Sequence, residues 1–558
     1  MKKLTSKFFA ALFVLSALVV TSCNTSKVGK NQTPLKQNPE IVNGVLENGM
    51  SYYILQNWQP QNRISLRLVV KTGSCMEEED QKGVAHFIEH LCFNGTEHFE
   101  KNTLIDYAES IGMAFGPEVN AYTSFEETVF MLEIPADNPE FLEKALLIFH
   151  DWASAVSFDP EELEKERGVI TEEWRTSRGL NSRITDSIVP FELKDSGYVD
   201  HLPIGHMDII NSISRERVID FYEKWYRPEL MSVVISGACD PKSVKYQIEQ
   251  TMKDIPASKE KITAPAFSVP VRTEKDAVIF KDPEMPYIQA QFVSQQEDNA
   301  PLCTEEAFRK SLAKEIFGYV INARLSEITQ TADAPWLAAS IANYSETNSA
   351  AFNGMAFVPK DGMFVQAMQR LFDEYDRFNL FGVTESELQR AKDYIISSVQ
   401  QNYDRRSSIT STDRVSAICS QILGGHTCIS DQDRYELATK YANEITVDEI
   451  NALANELLQD RGTMAMIYAP ESAELPSKED LINFWQNYTS EAEIQAYNDD
   501  VAEGDIMVRP EQKAQIISKN EIEELNATEY VFENGAKVIV KKTDFDNDLI
   551  VMEALSKG

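Results

Sequence analysis

Two Glu-Asn-Gly turns stand 486 residues apart in this 558-residue chain, at Glu47-Asn48-Gly49 and Glu533-Asn534-Gly535. The first opens Leu46-Glu47-Asn48-Gly49-Met50-Ser51-Tyr52-Tyr53-Ile54 and closes on Val69-Val70-Lys71-Thr72-Gly73. The second opens Phe532-Glu533-Asn534-Gly535-Ala536-Lys537-Val538-Ile539-Val540 and closes on Ala554-Leu555-Ser556-Lys557-Gly558. Turn and closing glycine are 24 residues apart in one copy and 23 in the other. An Asn-Gly pair between strand-like runs is a hairpin signal, and a repeated frame marks a duplicated unit. The frame predicts that residues 527–558 are the opening hairpin of a second copy of the unit that begins near Ile41. Two unrelated hairpins sharing a common turn would give the same pattern. A lone hairpin cannot bury a face, so the remainder of the copy is expected from the same polypeptide or from a partner.

A chain of this length exceeds one core, and about 150 residues per domain suggests about three to four units. Ile64 to Lys71 alternates as a half-buried strand should, and Gly73 closes it. An acidic loop follows from Glu77 to Asp80, and then a helix bearing His86. A helix-strand passage runs from Leu104 to Ile134, helices from Pro139 to Ala155 and Pro160 to Arg178, and a strand from Met231. This order predicts an α+β fold. The Pro-, Lys- and Ser-rich stretch around Pro256 to Pro270 reads as a linker. The expected organisation is a leader over 1–23, a tether over 24–40, a first domain over 41–258 and a linker over 259–275. A second α/β domain over 276–470 and a helical linker over 471–526 lead to the final hairpin over 527–558.

Charge and the N-terminus bear on partners and location. With 53 Lys+Arg against 88 Asp+Glu, the net charge is −35. Such a surface repels phosphate backbones, which argues against nucleic acid, and serves solubility or attracts cationic peptides. Met1-Lys2-Lys3 and Lys7 precede an apolar run from Phe8 to Val20, the make-up of a secretory signal. The run is shorter than the about 20 residues of a spanning helix. Ser22-Cys23 at its end resembles a bacterial lipobox, which implies acylation of Cys23 and an anchored protein of the cell envelope, in the periplasm at the outer membrane. A plain secretory signal with an incidental cysteine is the alternative. Cys75, Cys92, Cys239, Cys303, Cys419 and Cys428 fit no dense disulfide framework and no CxxC metal pair.

The chemistry centres on His86-Phe87-Ile88-Glu89-His90. Residues four apart on a helix share a face, so His86 and His90 can hold one ion. Zinc accepts two imidazoles, and a catalytic site adds a third protein ligand and a water. Glu89 would lie beside that water as general base, in the HxxEH order that reverses HExxH. Two helix histidines paired with acids would give the same spacing. The helix from Pro160 offers Glu161, Glu162, Glu164, Glu166, Glu172 and Glu173 as third ligand. Glu166 and Glu173 lie on nearly one face but about 10.5 Å apart along the axis, so at most one coordinates. Spacing alone does not choose. His98, His150, His201, His206 and His426 carry no spacing argument and read as ordinary residues.

Further motifs occur in a fixed order: Gly73-Ser74, Gly83-Val84-Ala85 before the histidines, Leu91-Cys92-Phe93-Asn94-Gly95-Thr96 after them, Asn120-Ala121-Tyr122-Thr123-Ser124, Glu166-Arg167 through Glu172-Glu173, Leu202-Pro203-Ile204-Gly205 and Trp225-Tyr226-Arg227-Pro228. Together they resemble the pitrilysin and insulin-degrading-enzyme family, the inverzincins, strongly over about residues 41–260. The resemblance continues more weakly over 276–470, through Asn322-Ala323-Arg324-Leu325-Ser326. It implies two similar α/β sandwich-like domains, one Zn2+ per chain on His86, His90 and Glu173, Glu89 as base, and Glu166 as the acid behind a ligand. It also implies an edge strand at Asn120 and Ala121 on which a peptide adds as a further strand. The 83 residues from His90 to Glu173 exceed the family's usual gap; the surplus is expected in the loop near Met113 to Glu118. Long relatives close a chamber with a C-terminal half, and this chain stops at the first hairpin of that half.

The expected function is therefore a zinc metalloendopeptidase acting on extended peptides. Its partners are peptide substrates, a C-terminal half or partner subunit, and a membrane reached through the lipid. The alternative is a non-catalytic peptide-binding or assembly subunit, which in this family usually lacks the HxxEH residues.

Overall fold

A computed structural model describes residues 32–544 and 550–556, apart from 102, 261, 266, 297–300, 459–460, 491–492 and 500–512. Cys23, the leader and residues 24–31 of the tether lie outside the described residues, as do Lys557 and Gly558. The chain divides into a unit ending at Tyr497 and a second from Asn498 to Gly558.

The larger unit is built on two mixed sheets. The first joins β1 (Val42–Val45), β2 (Ser51–Gln56), β3 (Arg63–Val70), β4 (Val119–Thr123), β5 (Thr128–Pro135) and β6 (Met231–Gly237), in the spatial order β1-β2-β6-β3-β5-β4. The second joins β7 (Asp276–Asp282), β8 (Gln289–Gln295), β9 (Trp336–Thr347), β10 (Ala350–Pro359) and β11 (Met464–Pro470), in the order β7-β11-β8-β10-β9. In each sheet the strand that closes the domain, β6 or β11, lies between a parallel neighbour, β2 or β7, and an antiparallel one, β3 or β8. Two antiparallel pairings then complete each sheet. Without β1 the first sheet has the connectivity of the second. The expectation of an α+β chain with two similar domains holds.

Helices α1 (Val84–Phe93), α2 (Thr103–Ser110), α3 (Pro139–Ser154), α4 (Pro160–Thr176), α6 (Met207–Ile210), α7 (Arg215–Trp225) and α8 (Pro241–Thr251) accompany the first sheet, whereas α5 (Leu180–Glu192) packs on the second through Ile188 and Val189. Their starts follow from sequence: Asn138 and Asp159 accept N–H bonds from the first turns of α3 and α4, each with proline at the first helical position. Helices α9 (Glu305–Thr329), α10 (Phe364–Phe381), α11 (Glu385–Asp404), α13 (Asp431–Glu444), α14 (Val447–Leu457) and α15 (Lys478–Asn487) accompany the second, whereas α12 (Ser411–Leu423) packs on the first. Leu481 and Trp485 of α15 are fully buried in the second core.

The alternation in Ile64 to Lys71 predicts a strand with one solvated face, and the structure corrects this. Ile64, Leu66, Leu68 and Val70 face the core shared with α1, α3 and α7. Val69 faces Val415, Ile418 and Ile422 of α12, which caps the opposite side of the first sheet. On that side Arg67 pairs with Glu133 at 2.9 Å and Ser65 meets Thr412 at 3.1 Å. Polar residues alternate here because they pair beneath a helix contributed by the second half of the chain.

The smaller unit contains β12 (Ile516–Ile522), β13 (Ala527–Phe532) and β14 (Lys537–Val540), an antiparallel sheet in that order. Its Glu533-Asn534-Gly535 turn reproduces the first turn bond for bond. Gly49 and Gly535 have φ of 99° and 84°, and their N–H groups donate to Leu46 and Phe532 at 2.9 Å. Asn48 and Asn534 each accept, at 3.1 Å, the N–H two residues on.

Candidate metal centre

Helix α1 starts where the chain makes two unusual approaches. Gly83 holds φ 98°, and a Cβ there would fall 2.9 Å from Gly205 Cα, so the Leu-Pro-Ile-Gly segment packs directly on the helix start. Glu77 caps the same end: its two oxygens accept the N–H groups of Gly83 and Ala85, each at 2.8 Å. The acidic loop expected at Glu77 to Asp80 is solvated only beyond Glu77, which is buried. Burial pushes the Glu77 carboxyl up to about 8, against the opposing pull of the two amides and Lys82.

Helix α3 fixes the other end of α1, through the Trp152 Nε1 bond to the Cys92 carbonyl at 2.8 Å. Helix α4 is anchored by Arg167, whose guanidinium donates to the carbonyls of Ile210 and Ile213 and lies over the Phe87 ring. That anchor explains the Glu-Arg pair. It turns Glu166 and Glu173 toward α1.

Four groups then converge. His86 Nε2 and His90 Nε2 are 3.2 Å apart. Glu173 Oε2 lies 3.3 Å from His90 Nε2 and 3.8 Å from His86 Nε2. A zinc ion holding three tetrahedral donors at about 2.0–2.1 Å sets them roughly 3.3 Å apart, so these atoms fit a single ion. Glu166 sits at the other nitrogen of the same ring, His90 Nδ1, at 2.7 Å, and its second oxygen accepts from Asn94 Nδ2. The seven-residue separation thus places the two glutamates at opposite nitrogens of one imidazole. His86 Nδ1 is buried without a hydrogen-bond partner among the described residues, and its ring packs edge-on to His90 with centroids 4.6 Å apart.

Electrostatics suit a cation here. Burial, helped by His90, holds His86 below its ordinary range, which keeps it in the neutral form that binds metal. Burial acts the same way on His90 but is outweighed by Glu166 and Glu173, which raise it. The hydrogen bond from His90 lowers Glu173. Glu89 is buried, and desolvation raises its carboxyl. Its Oε2 accepts from Thr123 Oγ1 at 2.6 Å, a contact that sequence did not signal.

Thr123 belongs to β4, the edge strand of the first sheet. Asn120 and Ala121 lie on that strand, paired to Met131 and Phe130 on its inner side. Asn120 is exposed, and its side-chain oxygen covers the Ala121 N–H at 2.8 Å. The loop near Met113 to Glu118 joins α2 to β4, and its Phe115 ring stands edge-on to Phe93 at the end of α1, with centroids 5.5 Å apart. Among the described residues no helix is long and apolar enough to cross a membrane. Cys75, Cys92, Cys239, Cys419 and Cys428 are free thiols.

Comparison with known proteins agrees with this architecture. Residues 52–186 match the insulinase (peptidase family M16) profile, and residues 212–395 match the peptidase M16 inactive domain profile. The probable zinc protease PqqL of Haemophilus influenzae is 30% identical over 489 residues, covering 86% of this chain and 50% of that protein. A zinc protease PQQL-like protein of Arabidopsis thaliana is 29% identical, covering 92% of this chain and 51% of that protein. The chain thus spans about half the length of these curated relatives. The crystal structure of the first half of the periplasmic protease PqqL from Escherichia coli superposes with a TM-score of 0.76 at 25% identity, covering 84% of this chain and all of that one.

Proposed function

The chain belongs to the M16 peptidase family, the pitrilysin and insulinase group, and on that premise we propose that it is a zinc metalloendopeptidase cleaving extended peptides. The observation that carries this reading is the convergence of His86, His90 and Glu173 within 3.8 Å of one another, with Glu89 beside them and tied to an edge strand. His86, His90 and Glu173 would hold the zinc, which when bound supplies Lewis-acid activation of water and the scissile carbonyl. Glu89 takes a proton from the attacking water and passes it to the leaving amine. A raised carboxyl suits that exchange, and Thr123 fixes its orientation. Glu166 orients His90 from behind and adds to its basicity.

The substrate adds as a strand beside β4, with Ala121 offering backbone bonds and the Asn120 side chain yielding the Ala121 N–H it covers. The remaining partner is a C-terminal half, in the same polypeptide or as a separate subunit, that closes a chamber over the centre. The basic and apolar leader ending in Cys23 supports an exported, lipid-anchored protein, and the periplasmic relative supports the periplasm as its place. With domain limits at 41–258 and 276–470, His86, Glu89, His90 and Glu173 all belong to the first domain.

Chelation should abolish peptide cleavage and zinc should restore it. Glu173→Ala should lose zinc while Glu172→Ala, on the exposed side of α4, keeps it. Equal zinc content in the two variants would remove Glu173 as a ligand.

A further inference from the structure

Two of the histidines without a spacing argument meet in the fold. His98 follows the end of α1, and His150 lies in α3 beside Asp151. Both turn Nδ1 toward the same atom, Asp151 Oδ1, at 2.8 Å from His98 and 3.2 Å from His150. One donor atom of each of the three lies within 4.8 Å of the other two. The Asp151 side chain is fully buried. Its second oxygen is tied by the Thr96 hydroxyl at 2.6 Å and the His98 N–H at 2.9 Å, so Oδ1 is held facing the two rings.

His150 has a carboxylate at each nitrogen, because its Nε2 meets Asp254 Oδ1 at 3.1 Å. A neutral imidazole has one N–H and one lone pair. It can satisfy one of these carboxylates and must turn its lone pair to the other. A second proton or a cation resolves the conflict. Two imidazole nitrogens converging on one carboxylate oxygen form an N2O donor set of the kind that zinc-class ions take. A carboxylate on the far nitrogen is the usual support of a ligating histidine.

We propose that His98, His150 and Asp151 form a second metal site, sharing no residue with His86, His90 and Glu173, that takes a zinc-class divalent cation with Asp254 orienting His150. The His98 side chain, 44% exposed, gives the ion its route in. A cation there ties the segment after α1 to α3, and so braces the helix that carries the first centre. This inference stands apart from the peptidase reading.

The test counts zinc per chain after equilibration with zinc sulfate and removal of free metal. Wild type should hold two, His98→Gln one, His86→Ala one and the double variant none. His98→Gln alters a half-exposed side chain, and its melting temperature in EDTA should equal that of wild type. Asp254→Asn should weaken only the second zinc, by about 10–100-fold. Equal zinc content in wild type and His98→Gln would overturn the proposal. Failure of His86→Ala to lose a zinc would count against the first centre and leave this one standing.

Discussion

Replacing Glu166 by glutamine should loosen zinc at the first centre without removing it. Glu166 spends both oxygens on donors, His90 Nδ1 at 2.7 Å and the Asn94 amide. Glutamine offers one acceptor oxygen, so its own NH2 must face one of those two donors. The variant also takes a negative charge from behind a ligand imidazole. Losing such a support costs about 10–100-fold in metal affinity, or about 1.4–2.8 kcal/mol. Glu173→Gln alters the oxygen proposed as a ligand, 3.3 Å from His90 Nε2, and should cost more. Asn94→Ala leaves the carboxylate in place and should cost less. Competition with a chromophoric chelator at neutral pH ranks the three. An unchanged affinity in Glu166→Gln, or a loss equal to that of Glu173→Gln, would refute the division of roles between the two glutamates.

Two further outcomes follow from packing. Gly205 has φ 70° and would drive a Cβ into the backbone of Gly83 and Lys82, so Gly205→Ala should cost about 1–3 kcal/mol and weaken zinc by displacing the start of α1; denaturation with wild-type midpoint would refute this. Glu192, which lines a cleft with Ile188, Tyr344 and Tyr468, is pushed up to about 7 by burial, with Glu346 adding and the Tyr344 hydroxyl opposing. The folded state therefore holds a proton that the unfolded state releases above about 4.5, and stability falls as pH rises from there to about 7. Glu192→Gln should remove that slope, worth about 3 kcal/mol at most, so its advantage over wild type grows across the window. A pH-independent difference would contradict the burial argument.

Much of the first centre was legible in the chain. The HxxEH spacing and the glutamate-rich helix named every residue that converges, because helical periodicity is local. What spacing could not give was the choice between Glu166 and Glu173, which depends on how α4 lies across α1 and hence on Arg167 and two carbonyls some forty residues away. Glu77 was read as part of an acidic run. Nothing in the residue types separates it from its neighbour Glu78, which stays half-exposed; only the fold sets it under the N–H groups of Gly83 and Ala85. Thr123 on Glu89, Gly205 on Gly83, and the pairing of His98 with His150 are equally long-range, and no periodicity announces them. The second sheet left a thin sequence trace, yet its connectivity repeats the first, since buried β-strands tolerate many apolar sequences that preserve the same pairing. The Glu-Asn-Gly turns were the opposite case. An Asn-Gly turn fixes its backbone through two residues, so the repeat visible in letters reappears as the same bonds.

The most direct measurement is zinc content and peptide cleavage in Glu89→Gln, side by side with wild type. Glu89 touches Thr123 and stands beside the metal donors without being one of them. The variant should retain its zinc at His86, His90 and Glu173 and lose cleavage by a factor of about 100–10,000. Cleavage at the wild-type rate with zinc retained would contradict the assignment of Glu89 as the base on which the account rests.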